Sequence, residues 1–280
     1  MNSISIVSVG TNYKYHIYRN FLCSLYGTGF NGECHVLVNE QDLPQTAGLK
    51  ANFIPIEKYI PDNLDIHIQN YRFKIYEKLL QDITISSEYI LFTDFRDIIF
   101  QKNINKYPLT DHELFVFQED QTFDNCGFNG GNYERIKQDL FPDIDYIKNP
   151  IICCGTIIVK TAKALTFLEQ YYRYIRQALD YLDKRTKKIL YTDQTMLNYM
   201  YYTNNTGLRT KKLDNLDNLV NTMGYAIQPN INTAYVKDSY IVNKNNEISY
   251  IAHQFDRLDR QSLIELFSKF PFIQAGMNVI

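Results

Sequence analysis

Asp94 and Asp97 close an uninterrupted apolar run, Tyr89 to Phe92, and are separated by Phe95 and Arg96. An extended chain sends alternate side chains to opposite faces, so carboxylates three residues apart converge only if the chain turns after Asp94. With that turn their oxygens can hold Mg2+ or Mn2+, hard cations that also accept phosphate oxygens, and a diphosphate is the natural third party. Arg96 could neutralise such a phosphate or simply pair with an aspartate, and a salt-bridged strand end accounts for the motif equally well. A second signal lies at Tyr250 to Arg257, where His253 follows a short apolar run and sits at a strand end or in its loop. A lone histidine is more often structural, but with the two aspartates it completes an Asp, Asp, His metal shell. Asp193, after the N-cap residue Thr192, is expected exposed and oriented at a helix start.

The elements that must position these groups can be read from periodicity. Residues 3 to 9 largely alternate Ser with Ile or Val, and Gly10 and Thr11 break the pattern, a strand followed by a loop. Tyr13 to Leu25 can be helical, Cys34 to Val38 is a second strand and Phe53 to Ile56 a short third. Tyr71, Ile75 and Leu79 form one stripe of a helix over residues 68 to 81, which feeds the Tyr89 strand. A fully apolar strand is covered on both faces, as in parallel sheets, where ligands collect at the carboxyl edge. Glu113 to Gln118 is another strand. Thr122 to Asn132, with its glycines, is a loop, either a mobile lid or an ordinary connection. Ile151 to Val159 is a strand interrupted by Gly155, where something must approach the backbone closely. Helices follow over Thr161 to Lys184 and over residues 192 to 202, then a polar surface loop from Thr203 to Asn218. The alternation implies one main α/β domain over residues 1–280, with a mostly parallel central sheet flanked by helices.

Composition removes several function classes. The 29 Lys and Arg against 31 Asp and Glu leave a net charge of -2 and no basic field for nucleic acid. The N-terminal residues carry no basic leader, and no run approaches the about 20 apolar residues of a spanning helix. A cytoplasmic protein of bacterial or viral type, without integral membrane contact, is expected. Five cysteines without a C-x-x-C spacing argue against a zinc knuckle or disulfide framework, so the adjacent Cys153 and Cys154 read as packing residues. Neither G-x-x-x-x-G-K-[ST] nor G-x-G-x-x-G occurs, which weakens kinase and nicotinamide-dehydrogenase readings. The 23 tyrosines supply sugar-stacking surface or merely reflect coding bias.

Four motifs in order, Phe-Thr-Asp-Phe-Arg-Asp-Ile-Ile-Phe-Gln, Cys-Gly-Thr-Ile-Ile-Val, Thr-Asp-Gln-Thr-Met-Leu-Asn and His-Gln-Phe-Asp-Arg, span most of the chain and resemble metal-dependent glycosyltransferases of the GT-A fold. The resemblance implies a Rossmann-like domain, with residues 1–118 binding nucleotide and 119–280 forming the sugar and acceptor part with the C-terminal metal-ligand segment. It implies Mn2+ or Mg2+ on a donor diphosphate, held by Asp94, Asp97 and His253. Asp97 matches the second aspartate of the Asp-x-Asp signature. Asp94 stands one residue early, which leaves open direct ligation, a ribose contact or a water-bridged role. By the same resemblance Val9, Gly10, Thr11 and Tyr13 accommodate the nucleoside, Arg72 and Lys74 contact nucleotide or diphosphate, and Phe95 and Arg96 belong to the donor site. Cys154, Gly155 and Gln194 lie near the donor sugar. Asp193 holds donor hydroxyls or serves as the acceptor's base. The Lys-Pro-Trp ending of family 8 is missing. The partners implied are a UDP-hexose and an unknown carbohydrate, lipid-linked or protein acceptor, in an oligomeric state that is not specified. Competing readings are an inactive sugar- or nucleotide-binding relative, a metal-dependent phosphohydrolase, and a glycoside hydrolase using Asp94 and Glu119.

Overall fold

The computed structural model describes residues 3–62, 64, 66–186, 192–223 and 234–270. Residues 1–2 and 271–280, which the single-domain expectation includes, lie outside the described residues. A seven-stranded sheet runs in the order β3-β2-β1-β4-β7-β6-β8. Strands β1 (Ile4–Val9), β2 (Cys34–Val38), β3 (Asn52–Pro55) and β4 (Tyr89–Thr93) are mutually parallel. Strand β7 (Pro150–Lys160) runs against both β4 and β6 (Leu114–Thr122), and β8 (Thr210–Leu213) is parallel to β6. Reversal of β7 alone leaves the sheet mostly parallel.

Both faces are covered, and the strand period of two decides which residue goes where. Ile4, Ile6, Tyr89 and Leu91 join a cluster with Tyr18, Phe21 and Leu25 of α1 (Tyr15–Gly27). Val7, Ile90 and Phe92 pack on the other side against α2 (Ile68–Asp82) and α4 (Thr161–Thr186), through Phe73, Ile75, Leu79, Phe167 and Tyr171. Each such side chain contributes about 1.5–3 kcal/mol of burial. The expected stripe of Tyr71, Ile75 and Leu79 is the buried face of α2. α5 (Thr192–Tyr202) packs on β7 and α4 on the same side.

Two short additions stand at the carboxyl edge. Strands β5 (Ile98–Phe100), β12 (Ile251–His253) and β9 (Val220–Thr222) form a sheet in the order β5-β12-β9. The hairpin of β10 (Ala234–Lys237) and β11 (Tyr240–Asn243) packs with α6 (Arg260–Lys269) in a third apolar cluster. Of these five short strands the sequence points only to β12, through the apolar run before His253, since runs of three or four residues carry little periodicity.

Two expected loops are more ordered than their composition suggests. Thr122 to Asn132 holds the end of β6, a 3-10 turn at Phe123–Asn125 and the start of α3 (Gly127–Asp139). Its Gly130 serves close packing rather than mobility, because a Cβ there would collide with the Phe123 carbonyl oxygen. Thr203 to Asn218 contains β8, whose pairing with β6 organises that polar stretch.

Candidate functional site

The chain does turn after Asp94, through residues 95 to 97, before β5 begins. Register then does the rest: His253 on β12 pairs with Ile98 on β5, beside Asp97. The ligand atoms of Asp94, Asp97 and His253 all lie within 4.8 Å of one another. His253 Nε2 is 3.4 Å from Asp94 Oδ2 and 3.9 Å from Asp97 Oδ1. That nitrogen is buried and makes no well-formed hydrogen bond, its nearest polar neighbours being the two carboxylates, so a cation between the three groups would take up its lone pair. Two hard oxygens and one imidazole suit Mn2+ or Mg2+, so the residues fit the expected ion. After His253 the chain takes a left-handed conformation at Gln254, φ 60°. Such a conformation costs roughly 1–3 kcal/mol for a non-glycine residue. It is held by the Gln254 N–H, which donates to the Asp97 carbonyl at 2.8 Å.

Gly155 lets the cluster close. Pairing of β6 with β7 jumps from Val116↔Ile157 to Phe117↔Cys153, so Cys154, Gly155 and Thr156 bulge past β6 at the carboxyl edge. The Gly155 carbonyl accepts the Asp94 N–H at 2.7 Å. A Cβ on Gly155 would strike His253 Cε1 and would lie 2.5 Å from Asp94 Oδ2 and 2.6 Å from His253 Nε2. The close approach expected from the sequence is therefore that of the metal-type cluster itself.

Charges in the cluster are strongly coupled. Burial pushes the Asp94 carboxyl up, but the Arg72 guanidinium and His253 outweigh it and hold Asp94 well below the ordinary carboxylate range. Asp97 is raised, by burial first and by the Asp94 and Asp256 charges next, against His253 and Arg96. Burial opposes the charged form of His253, yet Cys153, Asp94 and Asp97 raise it well above an ordinary imidazole. Arg72 is the buried hub: Nη1 donates to Asp94 Oδ1, and Nη2 donates to Asp193 Oδ2 at 3.1 Å and to the Cys154 carbonyl at 3.3 Å.

Asp193 is 4% exposed, not open as the sequence suggested. Its helix start is folded inward because Asn70 Oδ1 accepts the N–H groups of Thr192 and Asp193, at 3.1 and 3.2 Å, and Tyr171 donates to the Asp193 carbonyl at 2.7 Å. Gln194 bridges the pocket. Its Oε1 accepts from the Cys154 N–H at 3.4 Å, and its Nε2 donates to Asn129 at 3.0 Å and Glu119 at 3.2 Å.

Two adjoining chambers meet at Gln69, Arg72 and Asp94. The smaller, about 200 Å3, is lined by Val9, Thr11 and Tyr13 together with Arg96 and Asp97. The larger, about 400 Å3, carries Cys154, Gly155, Asp193 and Gln194. Gly10 lies under the first chamber's floor, because a Cβ there would be 2.9 Å from the Phe95 ring. Phe95 is largely core, stacked on Phe21 at 4.4 Å between centroids. Arg96 is open to solvent and paired with Asp256 at 2.8 Å. Lys74 is not brought to the site. Two residues on from Arg72 it points to the opposite side of α2, where it bonds Glu77 at 2.6 Å and lines a surface hollow with Tyr172.

Sequence reasoning passed over Gln69, Asn70, Asn129, Gln254 and Arg257, and it placed Glu119 only in a hydrolase. Gln254 and Arg257 stand inside the His-Gln-Phe-Asp-Arg motif without a role assigned, and the others have no local signature. The i+4 spacing of Arg257 from His253 was visible, but not the turn at Gln254 that brings both to the pocket.

A mostly parallel sheet with a reversed β7, and an Asp, Asp, His cluster at its carboxyl edge between two chambers, define the class: the GT-A glycosyltransferase fold. Solved structures with this fold bear that out. The galactosyltransferase LgtC, in complex with donor and acceptor sugar analogs, superposes with a TM-score of 0.55 at 12% identity over 99% of this chain and 97% of that one. Mouse xyloside xylosyltransferase 1 gives 0.53 at 13% identity, covering 93% and 99%. The bifunctional glycosyltransferase WbbM gives 0.56 at 11% identity, covering 99% of this chain and 50% of that one. No protein-family model and no curated protein sequence matches the chain.

Proposed function

We propose that the protein is a glycosyltransferase that moves a hexose from a nucleotide-diphosphate sugar, UDP-hexose by preference, to an acceptor hydroxyl. The observation that carries this is the convergence of Asp94, Asp97 and His253 within 4.8 Å, where a chamber of about 200 Å3 adjoins one of about 400 Å3. These three residues would hold Mn2+ or Mg2+, and Asp97, presented without an arginine partner, is the principal ligand. When bound, the ion neutralises charge on the departing diphosphate.

The remaining work falls to the chain. Val9, Thr11 and Tyr13 bind the nucleoside, above the floor made by Gly10 and Phe95. Arg96, at the rim of that chamber, offers a cation to the phosphates. Arg72 is already engaged by two carboxylates and one carbonyl, so it orients Asp94 and Asp193 rather than meeting phosphate as a free charge. Asp193 accepts from Arg72 through Oδ2 and from the Gln194 N–H at 2.8 Å through Oδ1, which orients a carboxylate able to accept from donor hydroxyls or from the acceptor hydroxyl. Cys154, Gly155 and Gln194 complete the sugar wall. In the transfer, the acceptor oxygen bonds to the anomeric carbon as the bond to the diphosphate oxygen breaks, and the acceptor proton passes to base or solvent. A phosphohydrolase of the aspartate-nucleophile kind gains nothing here, since β1 ends in Gly10 and Thr11 rather than a carboxylate.

No helix among the described residues is long and apolar enough to cross a membrane. Thermal melts with UDP, GDP and CMP, each with and without Mn2+, test the proposal, followed by hydrolysis assays on the matching nucleotide sugars. UDP with Mn2+ should raise the melting temperature, because a ligand of the native state must stabilise it. The proposal falls if no nucleotide does so at any metal concentration. Stabilisation without turnover would instead mark an inactive relative.

A further inference from the structure

We infer that the acceptor is a carbohydrate, bound with one face of a sugar ring on Phe128 and its hydroxyls on the polar groups beside it; this rests on the transferase reading of the same chamber. Phe128 lies in the first turn of α3, is 51% exposed and lines the larger chamber. Gln194 divides that chamber. On one side it meets Cys154, next to Gly155 and the metal-type cluster, and on the other it meets Asn129 and Glu119. Phe128, adjacent to Asn129, therefore belongs to the wall remote from the donor phosphates. Gln254 and Arg257 line the same chamber from the His253 side, next to the metal-type cluster, with Arg257 Nη1 donating to Gln254 Oε1 at 2.9 Å.

The chemistry of this wall selects its occupant. A sugar ring is amphipathic, with apolar C–H faces and a rim of hydroxyls, and it matches an aromatic face bordered by a carboxylate, two amides and a guanidinium. A lipid chain would cover the exposed Arg257 guanidinium with hydrocarbon without replacing its water. A peptide segment would call for a sheet edge or an extended groove, and this is a cavity of about 400 Å3. Phe128 is also held rigidly: Gly130 packs on the Phe123 carbonyl and its N–H donates to the Cys126 carbonyl at 2.7 Å, fixing the start of α3.

Saturation-transfer NMR on the full chain with UDP and diamagnetic Mg2+ tests the inference, using lactose, cellobiose, maltose, chitobiose and xylobiose as probes, with a serine-containing peptide and an octyl-chain detergent beside them. At least one disaccharide should show saturation of its ring protons. Its affinity should fall roughly tenfold or more in Phe128→Ala, the loss expected for truncating an aromatic anchor, and return in Phe128→Tyr. The UDP-dependent thermal shift should be equal in all three proteins, which shows that the variants are folded and bind donor. UDP binding with no disaccharide signal, with a signal unchanged in Phe128→Ala, or with the peptide or detergent bound instead, overturns this inference alone. Failure of UDP to stabilise the parent protein overturns the transferase reading and this inference with it.

Discussion

Gly155→Ala isolates the cluster from the rest of the fold. Gly155 does not need a left-handed backbone, so alanine is locally permitted and the whole effect comes from the added methyl. Ordinary contact for a Cβ begins near 3.4 Å, whereas this one would lie 2.5 Å from Asp94 Oδ2 and 2.6 Å from His253 Nε2. With His253 Cε1 nearer still at 2.3 Å, the two ligands must retreat by roughly 0.9 Å (Asp94) and 1.1 Å (His253), against a tolerance of about 0.2 Å in metal–ligand distance. Changes that merely disturb ligand orientation cost about 10–100-fold in metal affinity. Displacing two ligands should reach at least the upper end, about 100-fold or about 2.8 kcal/mol. Overpacking adds about 1–3 kcal/mol of destabilisation, or about 2–10 °C in melting temperature for a chain of this size. The assay is a Mn2+ titration by calorimetry on protein whose folding is confirmed by its melting curve. Gly131→Ala is the control, since a Cβ there meets nothing within 4 Å, and it should leave both quantities intact or raise stability slightly. A folded Gly155→Ala protein that binds Mn2+ within twofold of the parent would refute the assignment of Asp94 and His253 to the ion.

Asp97→Ala should abolish sugar transfer while leaving the melting curve near that of the parent, because Asp97 has no arginine partner to strand; near-normal turnover would remove it from the shell. His253→Ala should raise the Mn2+ concentration needed for half-maximal activity, and an unchanged titration would reassign the imidazole. Lys74→Ala should leave nucleotide affinity within about twofold, since Lys74 bonds Glu77 and faces Tyr172 away from both chambers, while stranding the buried Glu77 carboxylate should cost about 1–3 kcal/mol of stability; a large loss of UDP affinity in folded protein would contradict its placement. Protons should compete with the ion, because Asp97 and His253 both have raised pKa values and must be deprotonated to ligate. Mn2+ affinity should therefore rise with pH until the raised His253 value is passed. Calorimetry near neutral pH in buffers of different ionisation enthalpy should detect net proton release, and an enthalpy independent of buffer would count against the coupling.

The sequence by itself determined the strands and helices that carry the donor edge. Apolar runs and the stripes of α2 and α4 are local signals of burial on one face or two, and they marked β1, β2, β4 and β7 to within a residue or two. It also determined the Asp94 and Asp97 pair and the close approach at Gly155, because a turn after a strand and an interrupting glycine are local features. Tertiary structure alone decided which neighbours reach the site. Arg72 and Lys74 are alike in sequence, but the rotation of α2 buries one between Asp94 and Asp193 and turns the other to the surface. The motif residue Phe95 went to the core because β4 packs against α1, and Asp193 was drawn inward by Asn70 and Tyr171. His253 joined the aspartates only through the pairing of β12 with β5, and Glu119, Phe128 and Arg257 came together from three separate segments. Contacts between distant segments follow from the packing of whole faces, and no window of the chain records them.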